Sequence, residues 1–114
     1  MANSPKAKKI YDYALDKYSR GESNRNVLDD MRSALETHLK EVLNNDKSLE
    51  NQFSEVGKYL QTKGLSKEFV NMVITLLDYY AKYQNNHVKH NDAVKDEEVN
   101  FIIQLTSSFI QMFV

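Results

Sequence analysis

Between Val27 and Leu43 apolar side chains recur mostly at steps of three and four: Val27, Leu28, Met31, Ala34, Leu35, Leu39, Val42 and Leu43. A helix turns once in about 3.6 residues, so this spacing lines one helical face and does not fit the two-residue alternation of a half-buried strand. Asp29, Asp30, Arg32, Glu36 and Lys40 fall on the opposite side, giving one face for a core and one for water. Little elsewhere interrupts helix. The 114 residues include three glycines and one proline, and Pro5 stands near the N-terminus, where a first helical turn accepts it. The pattern predicts an all-α fold built from long helices.

The flanking segments extend the pattern. A first helix is expected with Ser4 as N-cap and Pro5 in its first turn, burying Ile10, Tyr11, Ala14, Leu15 and Tyr18 until Gly21 stops it. Asn44, Asn45 and Asp46 make a turn, and Ser48 and Asn51 offer capping oxygens to a third helix carrying Leu49, Phe53, Val56 and Leu60. Gly64 closes that helix and Ser66 caps a fourth, which is expected to bury Phe69, Met72, Val73, Leu76, Leu77 and Tyr80 and to end between Tyr83 and His87. The segment from His87 to Asp96 reads as a polar loop. A last helix, from about Glu97 to Phe113, sets Val99, Ile102, Ile103, Thr106, Phe109, Ile110 and Phe113 on one face. The sum is an up-and-down bundle of about five helices, residues 1–114 forming one domain with one core.

The last helix has a second apolar stripe, Phe101, Leu105 and Met112, well outside the first at 100° per residue. One face cannot bury both. Either this helix lies at the centre of the bundle or the second stripe meets another copy of the chain, in a homodimer.

Fifteen basic against sixteen acidic side chains leave a formal charge of -1, which excludes nucleic-acid binding by bulk electrostatics and leaves room for a local basic patch. With no cysteine there are no disulfides and no thiolate metal sites, as in proteins of a reducing cytosol. No apolar signal segment opens the chain and no run approaches the eighteen or so apolar residues of a membrane span, so a cytoplasmic protein away from the membrane is expected. Gly21, Gly57 and Gly64 stand singly and form no phosphate loop, and nothing suggests a Ser-His-Asp hydrolase or a bound cofactor.

The chemistry concentrates in one stretch. His38 lies beside Leu35, Leu39 and Val42 and reads as a structural histidine. His87 and His90, by contrast, share a polar stretch with Asn85, Asn86, Lys89, Asn91 and Asp92. Imidazole titrates near neutral pH, so this cluster could bind phosphate, position a hydroxyl or move a proton; the plainer reading is a solvated connection between helices. Apart from Asp92 nothing nearby completes a tetrahedral set with His87 and His90, so no metal is expected. Of seven tyrosines, Tyr79, Tyr80 and Tyr83 precede the cluster and could line a groove beside it, while the others read as packing residues.

Two stretches resemble the HEPN superfamily, helical domains of prokaryotic toxins and abortive-infection proteins. RGESNRNVLDDMRSALETHLKEVL, residues 20–43, looks like the turn and long helix of abortive-infection C-terminal domains. YAKYQNNHVKHNDAVKDEEVNFIIQLTSSFI, residues 80–110, looks like their helix end, histidine-bearing turn and closing helix. The resemblance implies metal-independent RNA cleavage across a dimer groove, by an arginine that holds the phosphate and a histidine that moves the proton, with four to six residues between the two. His90 takes the histidine position. Where the arginine belongs, at 83–85, stand Tyr83, Gln84 and Asn85, so the motif is degenerate. Asn85 and Lys89 then remain to support His90 in catalysis, with Lys82, Tyr83, Asn86 and His87 as candidate RNA contacts and Phe101, Leu105 and Met112 as candidate dimer contacts. The resemblance thus implies an RNA-binding or dimerisation module of a phage-defence or toxin-type system. The alternatives are an active endoribonuclease using His90 and a protein–protein interaction domain without nucleic-acid function.

Overall fold

The most regular stretch of the sequence becomes the spine of the molecule. In the computed structural model, which describes residues 5–88 and 94–113 and, for 87 and 88, the backbone alone, α2 (Asn24–Leu43) buries Val27, Leu28, Met31, Ala34, Leu35, His38 and Leu39. α1 (Pro5–Ser19) lies along one side of α2 and α5 (Asp96–Met112) packs on it as well, while α3 (Phe53–Thr62) pairs with α4 (Lys67–Lys82). Five α-helices and no strand occur among the described residues.

α1 meets α2 along a narrow seam in which Ala7 and Ala14 are fully buried. Seven residues apart, the two alanines face the same way and their small side chains let the helices approach closely. Leu15, expected inside, is exposed instead, because one position beyond Ala14 rotates it about 100° off so narrow a seam. Gly21 ends the helix at a φ of 73°, a left-handed conformation that costs glycine nothing. The Lys17 ammonium then ties α1 to Asp30 of α2 at 2.8 Å.

The connection after α2 differs from expectation. Ser48 and Asn51 bond each other at 2.7 Å instead of capping α3, and Leu49–Asn51 form a short 3-10 turn. Buried Gln52 closes this connection on the side chain of Asn45 and the carbonyl of Lys47. Ser66 behaves as predicted, its hydroxyl accepting the Phe69 N–H at 3.1 Å at the start of α4.

α4 turns a narrower strip inward than its sequence suggested: Val70, Val73, Leu77, Tyr80 and Ala81 are buried, whereas Met72 and Leu76 are 50% and 39% exposed. α3 and the core cover one side of α4, and no described element covers the side bearing Met72, Leu76 and Tyr79. Of the loop expected from His87 to Asp96, residues 89–93 lie outside the described residues and both ends are helical instead. The chain continues past α4 as a π-helical turn, Tyr83–Val88, and α5 begins at Asp96.

α5 buries Val99, Ile102, Thr106, Phe109 and Ile110. It is not enclosed on all sides: Phe101 is exposed and Leu105 and Met112 are half-buried. At the far end of the bundle His38 joins α2 to the end of α5, its Nε2 lying 3.0 Å from the Phe113 carbonyl. A carbonyl can only accept, so Nε2 carries the proton, and the histidine is structural as its sequence context indicated.

Candidate functional site

Asn85 opens the polar stretch, and its side chain is tied down by residues far away in sequence. The Arg32 guanidinium, reaching from α2, donates through Nη1 to the Asn85 Oδ1 and through Nη2 to Glu50. Asn85 Nδ2 in turn donates to the same Glu50 oxygen at 3.0 Å, closing a triangle that joins α2, the 3-10 turn and the π-helical turn. All three side chains are partly buried, so these charge-assisted bonds are shielded more than a surface ion pair would be. Sequence reasoning placed Arg32 on the outer face of α2. Fifty-three positions separate it from Asn85, and no short-range spacing signals the contact.

Beneath the triangle lies a polar layer in the core. Thr106 donates its hydroxyl proton to the Ile102 carbonyl at 2.7 Å, which makes Tyr80 the donor in the 2.8 Å bond between the two hydroxyls. Burial pushes the Tyr80 phenol up to about 12, so it stays protonated and keeps donating. Gln84, also buried, lies near that hydroxyl without hydrogen-bond geometry, and neither of its amide atoms has a partner among the described residues. π-Helical turns widen the backbone spiral and recur at functional sites, and here one sets Gln84 inward and Asn86 outward.

The remaining candidates divide. Lys82 is exposed, 3.1 Å from Asp78 and 5.8 Å above the Tyr79 ring. Tyr83 donates its hydroxyl to Glu98 at 2.8 Å; burial first and the Glu98 carboxylate second hold that phenol far above its ordinary value. The backbone of His87 belongs to the π-helical turn and its side chain lies outside the described residues, as do Lys89 and His90 altogether. The structure therefore brings Asn85, Lys82 and Tyr83 to one end of α4, and the expected proton-transfer residue lies outside the described residues.

Beside this end α4 and α5 diverge around an apolar groove of about 540 Å³, with Leu76, Tyr79 and Tyr83 on one wall and Phe101 and Leu105 on the other. Its floor is Tyr80, whose ring meets Phe109 edge-on at 5.7 Å, and Glu97 and Glu98 stand at one end. Phe101 and Leu105 thus share a groove with α4, lined there by Tyr79, Tyr80 and Tyr83, for which a groove was expected, and by Leu76, which had been expected in the core. Met112 does not line this groove; its carbonyl accepts from the Lys63 ammonium at 3.4 Å.

Among the described residues no helix is long and apolar enough to cross a membrane, and no group of three or more His, Asp or Glu side chains is placed to hold a metal ion. No protein-family model matches the chain, and no curated protein or solved structure does either.

Proposed function

We propose that this chain is a HEPN-like domain of a prokaryotic phage-defence or toxin-type system that binds RNA at the polar stretch following α4, works as a homodimer and carries a degenerate nuclease motif. The observation that supports this reading is the position of Arg32. The polar stretch has no arginine at 83–85, where the resemblance calls for one, yet a guanidinium from α2 reaches Asn85. Glu50 takes up its charge, so Arg32 orders the base of the stretch and has little left to offset charge developing on a scissile phosphate. Lys89 and His90, further along the sequence, supply donors for phosphate beyond the side chains that line the α4 groove.

Full-length protein mixed with single-stranded RNA in the presence of chelator should shift the RNA in a gel, with affinity falling as salt rises, and leave it uncut. Cleavage that disappears in the His90→Ala variant would replace the module by an active metal-independent endoribonuclease. Protein that neither binds nor cuts RNA would leave the interaction domain.

A further inference from the structure

Along α4 an exposed apolar stripe is bracketed by opposite charges. Met72, Leu76 and Tyr79 are 50%, 39% and 66% exposed, and exposed Glu68 precedes them while exposed Lys82 follows. At 100° per residue Glu68, Met72, Leu76 and Tyr79 fall within a sector of about 80°, and Lys82 lies about 40° beyond its edge. The spacing is symmetric: residue 75 lies midway between Glu68 and Lys82, and the midpoint of Met72 and Tyr79 falls between 75 and 76. Phe101, 63% exposed, and Leu105 of α5 form the facing wall of the same groove.

A helix with this order of acid, apolar stripe and base complements itself only when turned end for end. Antiparallel pairing of two such helices about residues 75–76 sets Glu68 of each against Lys82 of the other, about 21 Å along the helix at 1.5 Å per residue. Parallel pairing would set like charge against like. The stripe also holds large side chains, and its Leu76 and Tyr79 share one apolar groove with Phe101. We infer that the α4–α5 groove receives a second copy of this chain, the two α4 helices packing antiparallel around a two-fold axis near Leu76. The inference rests on the dimeric part of the proposed function and not on its RNA-binding part.

The experiment is sedimentation equilibrium on the full chain with variants of α4. Wild type should be a dimer, and Leu76→Glu a monomer with unchanged helix content by circular dichroism. Glu68→Lys and Lys82→Glu should each weaken the dimer roughly fivefold or more, since each breaks two symmetric pairs and creates two repulsions. Combined in one chain they should restore it to within about twofold of wild type. Because the chain has no cysteine, Leu76→Cys introduces a lone thiol that should form an inter-chain disulfide under mild oxidation. A monomeric wild type would overturn this inference and the dimeric reading together. A dimer indifferent to Leu76→Glu, or a charge exchange that compounds the losses, would overturn this interface alone and move the dimer contact elsewhere.

Discussion

His38 is buried among α2 residues with its Nε2 proton committed to Phe113 and no partner at Nδ1 among the described residues. Burial holds its pKa below the ordinary 6.5, against the opposing pull of the Phe113 and Ile110 carbonyls. A histidine that binds its proton less readily folded than unfolded favours the native state above its unfolded pKa, and that contribution is lost as pH falls through the depressed folded value. Thermal melts should therefore show wild type losing stability as pH drops below about 6.5. His38→Gln, which keeps a donor for Phe113 and cannot titrate, should lose less over the same interval. Arg32 makes the complementary point about single residues. Its role depends on Asn85 and Glu50 arriving from other elements, so its own neighbours in sequence, on the polar side of α2, could not reveal it.

At the scale of elements, the helices were legible and their facing was not always so. The pattern of three- and four-residue steps located α2, α4 and α5, and Ser66 marked the start of α4 by the bond it makes to Phe69. What periodicity cannot register is how wide a strip a neighbour covers. α3 approaches α4 where Gly57 faces Ile74, whose Cδ1 would lie 3.2 Å from a Cβ at position 57. That close approach fixes which side of α4 turns inward. Gly57→Ala should change stability by no more than about 1 kcal/mol, the helix-propensity gain offsetting a small shift of the flexible Ile74 end. Gly57→Leu should lose roughly 1–3 kcal/mol in urea denaturation, because its side chain wedges the helices apart. Equal midpoints for the two variants would mean that α3 and α4 tolerate separation.

For the whole molecule, an apolar surface shared by two helices should couple association to stability. If two copies pair there, the melting temperature of wild type should rise with protein concentration, because association stabilises the native state by mass action. Leu76→Glu should melt at one temperature throughout a dilution series. Its side chain is already 39% exposed, so the dilute variant should match dilute wild type. A concentration-independent wild-type melt would count against pairing at any face.

The sequence by itself determined the helical class, the breaks at Gly21 and Gly64, the cap at Ser66, the structural role of His38 and the polar stretch that begins at Asn85. These follow from local geometry: a 3.6-residue period, left-handed φ values at two glycines, an oxygen beside an unpaired N–H. Only the tertiary structure decided that Leu15, Met72 and Leu76 face outward, that Phe101 and Leu105 share a groove with α4, and that Arg32 rather than a residue near 83–85 reaches Asn85. Each of these depends on which helices meet and how closely, a matter of packing between segments far apart in the chain, and helical periodicity carries no record of it.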